Sequence, residues 1–204
     1  MMNSMQPALD QTKLSRPAFL TGTRQEYLGK RPLPTLVRRR PVVVVLGPEG
    51  AGKSEVALRI AGPDSIVIPT MALHRGLIDW VRTSEWPEHW LEPAPIVFDE
   101  SVWLRGRPGI VRGLVSLLRQ RSQQGYRSII VQPDHDGSID CVLAELSVGA
   151  VCTVGLRLPV SRRARLNFAR EICRRHGLDE SLAPPTTRLE HWSYQAVRRM
   201  LGVD

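Results

Sequence analysis

Between Gly47 and Ser54 the chain reads Gly-Pro-Glu-Gly-Ala-Gly-Lys-Ser, which satisfies the spacing G-x-x-x-x-G-K-[ST]. Glycine at 47, 50 and 52 frees the backbone to turn successive N–H groups inward, towards phosphate oxygens. A helix that starts at once behind the loop adds its positive end to the same site. Lys53 is suited to neutralise β- and γ-phosphates both in the bound state and as charge shifts during transfer, so it is a binding and a catalytic candidate. The Ser54 hydroxyl is suited to ligate Mg²⁺. Pro48, Glu49 and Ala51 complete the loop and Glu55 enters the helix, making 47–55 the candidate segment for holding ATP. The competing reading is a glycine-rich turn with an incidental lysine, and the flanking strand and helix weigh against it.

A second pair of groups stands in "PIVFDE" at 95–100. An apolar strand that ends in Asp99 and Glu100 delivers two carboxylates to the edge of the sheet where ligands of open α/β folds collect. Asp99 is assigned to the Mg²⁺ shell, and Glu100 to orienting and polarising an attacking water as the catalytic base. A third candidate is the end of "SIIVQPDHDGS", where Gln132 or Asp134 emerges between the first and third strands if the strand order follows other ATPases. His135 reads as a loop residue in turn chemistry that Pro133, Asp136 and Gly137 explain by themselves.

These groups need a scaffold, and the hydrophobic pattern supplies one. The β-branched run Val42 to Leu46 suits a strand buried on both faces. Behind it, helical and strand patterns alternate: a helix at Ser54–Ile60, a strand at Ser65–Pro69, a helix over "MALHRGLIDWVR", a strand at Ala94–Glu100. Then come an amphipathic helix stopped by Gly125, a strand over "RSIIVQP", a short helix over "SIDCVLAELSVG" and a strand over "AVCTVGLRLP". That alternation predicts an α/β fold, a parallel sheet sandwiched by helices. After Pro159 the pattern is helical only, with "SRRARLNFAREICRRHG", the link "APPTT" and a helix around Glu190 to Leu201. The expected division is a basic, extended, flexible arm over 1–40, a core over 41–159 and a short helical lid over 160–204.

Twenty-eight lysines and arginines against twenty acids give a formal charge of +8, which favours contact with nucleic acid or another polyanion. Only Lys13, Lys30 and Lys53 are lysines, an arginine bias that genome composition alone can produce. No apolar run approaches the roughly 20 residues that span a bilayer, and the N-terminal stretch lacks the basic start and apolar core of a secretory signal. A soluble, cytoplasmic protein without membrane contact is expected. Cys141, Cys152 and Cys173 lack C-x-x-C spacing and fit reduced, mostly buried thiols. Trp80, Trp86, Trp90 and Trp103 gather ahead of and just beyond the Asp99 strand. Packing of large rings is favoured over a partner-docking or base-stacking patch.

The order of these features, the P-loop, the strand ending in Asp-Glu, the polar strand end and then "VGLRLPVSRRARLNFAREICRRHGL", resembles the AAA+ P-loop ATPases and, among them, the DnaA-like replication-initiator group. The resemblance runs from about Val42 to Leu178. It implies an ATPase core with Mg-ATP as cofactor, nucleotide-dependent assembly on DNA or with a protein partner, and a sensor arginine on the last helix, for which Arg198 is the match. DNA contact is then expected through the basic arm and surface arginines. Two departures matter. The family's arginine finger falls near Glu145, and no arginine occurs between Arg127 and Arg157. Such fingers are worth several orders of magnitude in rate, so slow hydrolysis is implied. The lid is also short. Two other readings stay open at this point: a small-molecule or nucleotide kinase that uses the same loop, and a nucleotide-stabilised interaction module without catalysis.

Overall fold

A computed structural model describes residues 18–23, 27–28, 33–99, 107–133, 139–185, 192 and 194–203. Its strands are β1 (Ala18–Thr23), β2 (Val42–Leu46), β3 (Ile66–Ile68), β4 (Ile96–Phe98), β5 (Ser128–Gln132) and β6 (Val151–Arg157). Its helices are α1 (Thr35–Arg39), α2 (Lys53–Ala61), α3 (Thr70–Thr83), α4 (Pro108–Gln123), α5 (Asp140–Glu145), α6 (Arg162–Arg175) and α7 (Tyr194–Leu201). The strands form one parallel sheet in the order β1-β6-β2-β5-β4-β3. The α/β sandwich expected from the alternating pattern is therefore present.

Alternate residues of β2 show why its run is apolar at every position. Val42 and Val44 enter one core with Leu73 and Leu77 of α3, Leu114 and Leu118 of α4 and Val142 of α5. Val43 and Val45 enter the other, with Val56 and Ile60 of α2 and Val37 of α1. A strand covered on both faces has no polar side to present, so its sequence does not alternate. A third, separate cluster of Phe168, Ala169, Ile172, Trp192 and Val197 holds α6 and α7 together.

The N-terminal stretch departs from the expected free arm. Residues 18–23 form β1, which pairs in parallel register with β6 from Ala18 opposite Cys152 to Thr23 opposite Arg157. Tyr27 and Val37 are buried in the same core as β2. A six-residue edge strand between proline- and arginine-bearing segments leaves too short a pattern to show a period. Residues 1–17, 24–26 and 29–32 of the supposed arm lie outside the described residues.

Tight glycine packing seats the tryptophans. Trp80 and Trp86 stack with ring centroids 5.0 Å apart, Trp86 and Trp90 follow at 6.0 Å, and Trp90 meets Phe98 of β4 edge-on at 6.1 Å. Trp90 is 2% exposed. Its ring lies where a Cβ on Gly76 would stand, at 2.3 Å, and Gly113 leaves similar room for Trp80 at 2.8 Å. The favoured packing role thus describes Trp90; Trp80 and Trp86 are half-buried. Trp103 lies outside the described residues.

The loop that leads into β4 is anchored by a fully buried cation. Arg121 of α4 donates to the carbonyls of Trp90 (2.6 Å), Glu92 (3.0 Å), Ala94 (2.7 Å) and Arg127 (2.9 Å) and to the Ser128 hydroxyl (3.0 Å). Burial lowers its pKa to about 10, which leaves it charged at neutral pH. Satisfied donors offset the cost of burying the charge, and they fix the chain two to six residues ahead of Ile96.

Candidate functional site

The parallel register aligns three strand ends. Leu46 of β2 stands opposite Gln132 of β5 and Gly155 of β6, while Phe98 of β4 stands opposite Ile130. Everything that follows these residues emerges at one edge of the sheet: the 47–52 loop, Asp99, Gln132 and the exit of β6. Gln132 is fully buried and sits between β2 and β4, the placement anticipated from strand order.

Within the loop the glycines have separate reasons. Gly50 and Gly52 adopt φ of 71° and 81°, left-handed values that side chains disfavour. Gly47 has no such angle. Its need is proximity, since a Cβ there would stand 3.0 Å from Leu156 Cβ and 3.1 Å from the Leu156 carbonyl oxygen. The expectation that all three glycines serve unusual backbone angles is corrected at this position. The Ala51 N–H closes the turn on the Pro48 carbonyl at 3.2 Å. Glu49 is exposed at the tip.

Gly52 also occupies the cap of α2, where it brings no side-chain acceptor to the first turn. Helix N-terminal N–H groups lack intrahelical partners, and a turn capped this way is open to an anion. Lys53 is 6% exposed and donates from Nζ to the Pro48 carbonyl at 3.0 Å, so its ammonium lies over the loop. Ser54 Oγ donates to Asp99 Oδ1 at 2.9 Å. Residues 45 apart in sequence thus meet at this edge of the sheet.

Asp99 is held by its backbone as well. Its N–H donates to the Ile68 carbonyl at 3.1 Å, and its own carbonyl accepts from Thr70 Oγ1 at 2.8 Å. The first residue of α3 therefore helps to aim the acid, a role that sequence reading missed. A hydroxyl and a carboxylate oxygen in mutual contact are a hard-donor pair of the kind Mg²⁺ uses when phosphates and water supply its other ligands. Among the described residues no group of three or more His, Cys, Asp or Glu side chains is placed to hold a metal unaided. Glu100, Asp134 and His135 lie outside the described residues.

On the last helix, Arg198 donates from Nε to the Val203 carbonyl at 2.8 Å, at the end of its own helix. A C-terminal arginine that does reach the P-loop helix is Arg175 of α6, which pairs with Glu55 and, at 3.2 Å, with Glu171. Nothing local marks Arg175 among six arginines of α6; only the fold brings it to Glu55. Where the arginine finger was sought, Glu145 instead pairs with Arg119 of α4 at 3.3 Å.

No protein-family profile matches the chain, and no curated protein matches it. Solved structures do. The fold is similar to domain III of the replication initiation protein DnaA from Thermotoga maritima, with a TM-score of 0.56 and 14% identity over 80% of this chain and 84% of that one. A DNA replication initiation factor gives a TM-score of 0.59 at 13% identity, over 82% of this chain and 56% of that one. The replication initiator DnaA bound to AMPPCP and single-stranded DNA gives 0.55 at 13%, over 82% and 55%. The chain spans just over half the length of the latter two. At these identities the likeness is one of fold: the chain has the parallel α/β fold of these DnaA structures. Among the described residues no helix is long and apolar enough to cross a membrane.

Proposed function

We propose that the chain binds Mg-ATP in the 47–55 loop and acts as a slowly hydrolysing AAA+ ATPase of the DnaA-like kind. Its nucleotide state would switch assembly on DNA or with a protein partner. The observation that carries this reading is the Ser54–Asp99 contact at 2.9 Å beside the loop-bound Lys53 ammonium. It is the pairing a Mg-nucleotide site requires, and it is assembled from two distant motifs. Similar structures bound to an ATP analogue, and in one case to single-stranded DNA, support the same reading.

Each group has a defined task. Backbone N–H groups of the Gly50–Gly52 turn receive phosphate oxygens, and Lys53 neutralises the distal ones. Ser54 and Asp99 would hold the cation, which would draw off phosphate charge. Gln132, buried at the adjacent strand end, would sense the distal phosphate; Glu100 is proposed as the group that orients water. Without an arginine at the finger position the site stabilises transferring charge poorly, and turnover is slow. A cytoplasmic, DNA-associated setting accords with the basic charge.

Titration of the purified protein with a labelled ATP analogue tests the proposal. Lys53→Ala should abolish saturable binding while leaving the thermal midpoint intact. Unchanged affinity in that variant would refute the reading.

A further inference from the structure

Helix α6 carries six arginines and a single acid, Glu171. At about 100° per residue, positions 163, 167, 170 and 174 fall within one narrow strip of the helix surface. Arg163, Asn167, Arg170 and Arg174 are all exposed. On the opposite side Phe168, Ala169, Ile172 and Cys173 are buried in the lid core. Glu171 lies off the strip and pairs with Arg175 at 3.2 Å. Of the strip residues, Arg174 also meets Glu180 at 2.8 Å. The outer face of α6 is therefore a cationic line about 16 Å long at 1.5 Å per residue, stiffened by a packed helix.

We propose that this strip is a binding surface for the sugar-phosphate backbone of nucleic acid. Arginine forks match phosphate oxygens, and Asn167 adds a neutral donor and acceptor among them. A bilayer is disfavoured as occupant because the apolar side of α6 is consumed by the lid core and is not free to insert. The same helix ends in Arg175, whose pair with Glu55 links it to the first turn of the phosphate-loop helix. The proposal deepens the reading above and rests on it for the choice of DNA as the polyanion.

The test is fluorescence polarisation of a labelled single-stranded oligonucleotide over a salt series, with the full chain and an Arg163→Gln, Arg170→Gln double variant. A labelled ATP analogue is titrated in parallel. Each phosphate contact contributes about 0.7 to the slope of log affinity against log salt for single strands, so the double variant should lose about 1.4. Its oligonucleotide affinity should fall while its ATP affinity and thermal midpoint stay as in the parent. Unchanged oligonucleotide affinity and slope would overturn the proposal. So would a parent protein that binds ATP and no oligonucleotide, or one that loses only phosphatidylserine-vesicle binding on substitution. If ATP binding fails and the oligonucleotide effect persists, the strip stands and the nucleotide reading falls.

Discussion

Glu55 and Arg175, 120 residues apart, form an ion pair that ties the last turn of α6 to the first turn of α2. Glu55 is an unwelcome charge there, because the same turn is the one proposed to receive phosphates. Arg175 neutralises it, and Glu171 holds the guanidinium from within its own helix.

Arg175→Ala should therefore weaken ATP binding roughly threefold to tenfold, a modest effect because both side chains remain partly solvated. Glu55→Ala in that background should restore most of the loss, since the carboxylate that opposes the nucleotide is gone. A double-mutant cycle on analogue affinity, repeated at high salt, checks the sign. Equal losses in both single variants, adding in the double, would show that the pair does not act through the charge of Glu55.

The Ser54–Asp99 contact predicts a specific dependence on Mg²⁺. In the parent, EDTA should reduce ATP affinity by about tenfold or more, as expected when one or two protein oxygens complete the shell of a phosphate-bound cation. Ser54→Ala and Asp99→Asn should each bind ATP with nearly the same affinity with and without the metal. Calorimetric titration in both buffers measures this, and full retention of the Mg²⁺ effect in both variants would count against the assignment.

Gly76→Ala sets two effects against each other. Helix propensity gains about 1 kcal/mol. The new methyl, however, stands 2.3 Å from the Trp90 ring, which is pinned between Trp86 and Phe98. Overpacking of a closed core costs typically 1–3 kcal/mol, so the net result should be destabilising. At roughly 2–4 °C per kcal/mol for a chain of this size, the thermal midpoint should fall by a few degrees, with a change in tryptophan emission.

Cys152 and Cys173 are fully buried, and burial pushes both thiols up from the ordinary range. In a Cys141→Ser background, neither should react with an aromatic disulfide at pH 8 until denaturant is added. Because the folded values are raised, the folded state holds protons that the unfolded chain releases above about pH 8.5. The contribution of these groups to stability is therefore complete below that pH and is lost as pH rises through the folded values. Cys152→Ala should flatten the alkaline fall in the unfolding midpoint.

What the sequence disclosed and what it hid divide along the range of the interaction. The loop at 47–54 and the Asp99 strand were legible because their chemistry is written in consecutive residues and their strands are apolar throughout. The edge rule for parallel sheets set the Asp99 strand end beside the loop, and the Ser54–Asp99 contact came only with the fold. Strand β1 was not legible, because six residues docked on one neighbour show no period. The partners Glu55 and Arg175, or Gly76 and Trp90, are joined only after the chain folds. Arg121 looked like any other residue of an amphipathic helix, and five acceptors from two separate segments make it the anchor of the β4 approach.

Strand β6 is last in the sheet's sequence, yet Gly47 rests against its Leu156 and both β1 and β2 pair with it. During synthesis the phosphate loop leaves the ribosome about a hundred residues before the strand that supports it. Until then β1 has no neighbour and β2 has an open flank. A chain released early, short of Leu156, would carry every residue of the 47–55 motif without the surface that shapes it. The nucleotide site is in this sense the product of late closure, and ATP present during translation would capture chains that have completed β6 over those that have not.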